Sequence, residues 1–237
     1  MENVLAYIST AFGLITGLAV ALFYRATGNS WRFLALLLPW LLLQGALALS
    51  GFYLVTDAVP PRFLLVVVPP TLVIVALFLT TRGRAYLDSR LKTKALLLLH
   101  VVRIPVELIL YALFLHKVIP QLMTFEGRNW DILAGLSAPL VYYHVFRNQP
   151  SANKLLLVWE LVGLALLLNI VVIAIFSAPS PVQRFAFEQP NVAILHFPFV
   201  WLPGCVVPLV LLAHLASLRQ LLIKNQAGQY ATPSVSG

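Results

Sequence analysis

The sequence predicts an all-α integral membrane protein, a seven-transmembrane-helix bundle with the N-terminus outside and the C-terminus in the cytoplasm, and three observations carry that prediction. Of 237 residues, 60% are hydrophobic and 10% charged, whereas an ordinary soluble domain carries about 25% charged residues. The apolar residues gather into seven blocks, each near the ~20 residues that a helix needs to cross a hydrocarbon core of about 30 Å. Basic residues then alternate from one side of those blocks to the other.

In chain order the blocks run from Val4 to Tyr24, Phe33 to Val55, Phe63 to Thr81, Ala95 to Val118, Trp130 to Phe146, Leu155 to Phe176 and Val192 to Leu218. The opening Met1-Glu2-Asn3 lacks the basic region of a cleaved signal, so the first block reads as a retained span. It repeats Ser9, Gly13, Gly17 and Ala21 at every fourth position, a smooth face for another helix, in this chain or in a second copy. The third block contains Pro69-Pro70 and the fifth is the shortest, so either could be re-entrant, with six spans as the competing count. Pro198, Pro203 and Pro208 remove backbone donors from the seventh, which predicts a kinked or interrupted helix. Residues 1–224 thus read as a single membrane domain. The small, polar residues 225–237 read as a disordered cytoplasmic tail.

Direction follows from retention of Lys and Arg on the cytoplasmic side. One side holds Arg25, Arg32, Arg82, Arg84, Arg90, Lys92, Lys94, Arg147, Lys154, Arg219 and Lys224; the other holds only Arg62, Lys117, Arg128 and Arg184. This distribution also accounts for the net charge of +8 without a nucleic-acid partner, since no basic stripe follows one face. The expected environment is the bilayer of a plasma or inner membrane. Cys205, the one cysteine, leaves no disulfide or CxxC chemistry to consider.

An ionisable group inside a span costs at least ~2.5 kcal/mol, so each is a functional candidate. The fourth span carries His100, Arg103 and Glu107 on one helical face, with Tyr111 extending the stripe. Arg103 and Glu107 form an i, i+4 pair near mid-membrane. With Asn169 on the sixth span they make a candidate site for a small-molecule or ion ligand, or for a proton. Nearer the cytoplasmic ends, His100, His144, Glu160 and His214 share one layer on four different helices. Imidazoles and a carboxylate suit zinc, and a pair of histidines suits haem; an interfacial role for the rings is the alternative. At the outer end, His116, Glu126, Asp131, Glu188 and His196 form a third polar group, read either as a site or as solvated loop.

Lysines occur only at 92, 94, 117, 154 and 224, outside the last span, which excludes the retinal Schiff base of rhodopsins. The inner histidine set resembles that of the ceramidase and adiponectin-receptor zinc hydrolases, without their paired histidines one turn apart. Gly135-Leu-Ser137-Ala138 resembles the rhomboid GxSG without its last glycine, and Pro105-Val-Glu107 resembles the Pro-x-Glu-Glu of lycopene cyclases without the second acid. None of these supplies a site. Three readings follow: a small transporter or ligand-binding membrane protein around Arg103 and Glu107, a metal- or haem-dependent intramembrane enzyme, and a non-catalytic subunit acting through helix packing.

Overall fold

The computed structural model describes residues 2–147 and 152–230, and these form helices joined by turns and irregular connections. In chain order the helices are α1 (Glu2–Ala26), α2 (Trp31–Leu49), α3 (Leu64–Leu79), α4 (Thr81–Ser89), α5 (Thr93–Leu99), α6 (Arg103–Leu115), α7 (Ile132–Val145), α8 (Ala152–Ser177) and α9 (Val207–Tyr230). Five segments are long and apolar enough to cross a membrane, and six if the bent pair α3 and α4 counts as one. Such helices belong to a chain that crosses a bilayer several times. Side chains such as Leu14, Leu42 and Leu140, each 72% exposed, present apolar surface outward, as lipid contact requires.

Local sequence explains where the helices break. After α3 the chain turns by 89°, and Thr80 caps the new helix α4 by accepting a 3.1 Å hydrogen bond from the Gly83 N–H. Between α5 and α6 a 3-10 turn, His100–Val102, interrupts an otherwise continuous segment, Thr93–Leu115. Pro105 has no N–H to give the carbonyl one turn back, which loosens the α-helical ladder at this point. Since side chains three apart eclipse in a 3-10 helix, the turn aims His100 and Arg103 to the same side.

The seventh block is divided further than the sequence predicts. Ala193–Leu195 is a 3-10 turn, Leu202–Val206 is a π turn, and only from Val207 does a regular helix run. Pro208 leaves the Gly204 carbonyl without its helical donor, and the Trp40 indole of α2 fills that role at 2.8 Å. Trp201 donates in return to the Leu41 carbonyl at 2.9 Å. At the other end α9 continues to Tyr230, so helix reaches into the tail expected to be disordered; residues 231–237 lie outside the described set.

The connection from α6 to α7 is not a surface loop. Tyr111 on α6 donates to Glu126 at 3.0 Å, Glu107 accepts from Asn129, and Arg103 pairs with Asp131, so residues 126–131 descend along α6. Met123, Thr124, Asn129 and Asp131 are buried. Irregular backbone at such depth is tolerated where protein covers it. The descent explains why α7 has only 14 residues: it begins beside the middle of the neighbouring segment.

The small-residue face of α1 is open over much of its length. Ile8, Phe12, Thr16, Ala19 and Phe23 are buried, whereas Gly17 and Ala21 are exposed and a Cβ added at Gly13 or Gly17 would meet nothing within 4 Å.

Candidate polar centre

Five segments converge on one buried cluster. The turn between α5 and α6 brings His100, α6 brings Arg103 and Glu107, the descending connection brings Asn129 and Asp131, α8 brings Glu160 and α9 brings His214. All are at most 5% exposed. Two glycines permit the approach. A Cβ at Gly135 would lie 2.9 Å from Ile104 Cγ1 and 3.3 Å from Arg103 Cβ, so α7 can press close to α6. A Cβ at Gly163 would lie 2.6 Å from His214 Cε1, so the imidazole rests directly on the α8 backbone.

Arg103 is the hub. Its Nε donates to Asp131 Oδ2 at 2.6 Å and its Nη2 to Asp131 Oδ1, a bidentate pair. Nη2 also donates to the Gly163 carbonyl at 3.1 Å, and Nη1 lies 2.9 Å from His214 Nε2. A guanidinium can only donate, so His214 Nε2 accepts and Nδ1 carries the proton. Nδ1 then donates to Glu160 Oε2 at 2.5 Å. The result is an unbroken chain from Asp131 through Arg103 and His214 to Glu160. Beside it, Asn129 Nδ2 contacts both Glu107 oxygens at 2.7 Å and donates to the Met123 carbonyl at 3.0 Å.

Part of the cluster is unsatisfied. Both ring nitrogens of His100, the Glu160 Oε1 and the Ser217 hydroxyl are buried without a hydrogen-bond partner among the described residues. The His100 and His214 rings stack at a centroid separation of 4.0 Å, with Trp159 edge-on to His100 at 5.1 Å. One donor atom from each of His100, Glu160 and His214 lies within 4.8 Å of the others. Metal bonds of about 2.1 Å put donors within about 4.2 Å of one another, so a small closure completes a three-ligand set. Buried charge points the same way: Glu107, Asp131 and Glu160 face one guanidinium, and burying carboxylates requires compensation by protons or a cation.

Measured against the sequence reading, the metal layer keeps His100, Glu160 and His214 and loses His144, which is exposed near the end of α7. Haem across His100 and His214 does not fit, since rings stacked at 4.0 Å leave no room for a porphyrin between them. The Arg103 and Glu107 pair is also revised. Arg103 bonds Asp131, and Glu107 bonds Asn129, because the descending connection places those partners nearer than a neighbour one turn along. Tyr111 and Asn169 are not part of the buried centre. Tyr111 bonds Glu126, and the exposed Asn169 donates to the Arg128 carbonyl at 2.8 Å.

The outer group does not assemble either. Asp131 belongs to the core, His116 and His196 each bond a carbonyl four residues back in their own segment, and Glu188 is exposed. Sequence reasoning missed Asn129, Trp159 and Gly163 as parts of the site. The polar run Glu126-Gly-Arg-Asn129-Trp-Asp131 is the signal the sequence offers for Asn129.

The chain belongs to the family described as Domain of unknown function (DUF8737), which matches residues 60–222 and so contains every residue of the polar centre. No curated protein and no solved structure matches the chain.

Proposed function

We propose that this chain is a seven-span membrane protein whose bundle binds a divalent transition metal, zinc or a similar N/O-liganded ion, at His100, Glu160 and His214. The carrying observation is the convergence of donor atoms without partners, the His100 nitrogens and Glu160 Oε1, inside a fully buried triad. A metal entering between His214 Nδ1 and Glu160 displaces the proton those groups share, as ligation of imidazole requires. It also offsets the excess of buried carboxylates. A neutral His214 ligating through Nδ1 carries its proton on Nε2, so Arg103, which can only donate, releases that nitrogen and keeps its bonds to Asp131 and the Gly163 carbonyl.

Seven crossings are the count this reading uses, with the descending connection and α7 together making the fifth and the basic asymmetry placing the N-terminus outside.

The test is metal content. Purified protein in detergent, loaded with zinc and dialysed, should keep about one ion per chain, and cobalt should give the visible absorption of a site with nitrogen ligands. His100→Ala and Glu160→Gln should each lose both signals. Retention well below one ion by the unaltered protein, or undiminished retention by both variants, overturns the proposal.

A further inference from the structure

A cavity that shares no residue with the polar centre is independent of the metal. It has a volume of about 730 Å³ and opens between α2, α3, α4 and α9, far larger than the ~10 Å³ void between α1, α6 and the connections. Its size falls within the ~300–1,000 Å³ of small-molecule sites. It runs along α2 from Arg32 to Trp40, about 12 Å at 1.5 Å per residue. The deep end is apolar, walled by Trp40, Pro70, Val73, Pro208 and Leu212. The other end is polar and carries Arg32 and Arg90, together with Ser30 and Tyr86.

Among the described residues neither arginine is in an ion pair, and no acid lines the cavity. The acid on α4, Asp88, is held by Arg219 through two 2.7 Å bonds, so it does not neutralise Arg90. An apolar slot capped by two free guanidinium groups matches one chemistry: a long hydrocarbon chain ending in an anion. Guanidinium pairs suit phosphate oxygens in particular.

We infer that this cavity holds an anionic phospholipid, its chain between α2 and α3 and its phosphate between Arg32 and Arg90. Prolines 69, 70 and 208 line the slot, each removing a backbone donor from its helix.

Native mass spectrometry of the full chain, offered equal amounts of phosphatidylglycerol and phosphatidylcholine with identical acyl chains, tests this. The expected result is one retained phosphatidylglycerol, preferred roughly tenfold, the size of effect that charge-assisted pairs supply. Arg32→Gln with Arg90→Gln should bring that preference close to one. Leu36→Trp and Val73→Trp, at exposed lining positions, should exclude both lipids while the chain stays folded by circular dichroism. Arg25→Gln, an exposed arginine near the same end that does not line the cavity, should change nothing. Equal retention of both lipids overturns the inference. So does a loss of preference in Arg25→Gln as large as in the double variant, or a dimer that retains no lipid.

Discussion

The two flanks of the bundle solve opposite problems. Around Arg103, five segments close on one another so tightly that Gly135 and Gly163 leave no space for a methyl group, and seven polar side chains share one water-poor interior. Around Trp40 the helices stand apart, and the space between them is apolar with charge only at its rim. The packed flank is held by directional bonds between charged groups; the open flank is lined by prolines and braced by two indoles bonded across to carbonyls. The contrast teaches that polar groups in this chain specify position, whereas the apolar helices tolerate a gap.

Substitutions separate the two flanks by size of effect. Asp131→Ala strands the Arg103 guanidinium in the interior and should cost about 3–5 kcal/mol, seen as a large drop in thermal midpoint in detergent. Arg103→Leu with Asp131→Leu should recover only part of that loss, because the bidentate pair is removed whole but Glu107 and Glu160 lose the cation they face. Gly163→Ala drives a methyl into the His214 ring and should cost about 1–3 kcal/mol, with metal retention falling beside it.

Trp40→Phe, on the open flank, removes one bond to the Gly204 carbonyl. Since hydrogen bonds between membrane helices average only ~0.6 kcal/mol, a loss near 1 kcal/mol is expected. Should Trp40→Phe destabilise as much as Asp131→Ala, the contrast between the flanks is wrong. Smallest of all, Gly17→Leu meets open space and should change monomer stability by under ~0.5 kcal/mol, while any dimer formed through the α1 face should weaken in a crosslinking assay.

What could be read from sequence follows from these physics. Apolar blocks report helices directly, so α1, α2, α8 and the Thr93–Leu115 segment lie where hydropathy placed them. His100, Glu160 and His214 were legible as one layer because regular helices convert residue number into depth. Asp131 and Asn129 were not, because the connection bearing them descends through the bundle as irregular chain, and hydropathy has no signal for depth without a helix. His144 fails for a different reason: layer and face are separate coordinates, and α7 turns that ring outward. Pro203 and Pro208 announced a broken helix, but only the placement of Trp40 explains how the break is satisfied.

The descending connection has a consequence for how the chain is held in the bilayer. At 14 residues α7 is about 21 Å long, well short of the ~30 Å core, and so lacks the length of an independent stop-transfer segment. Its N-terminal anchor, Asp131, finds its counter-charge on a segment synthesised earlier. The short α7 thus has its N-terminal end held by the Arg103 pair on α6, a charged tether standing in for the hydrophobic length it lacks.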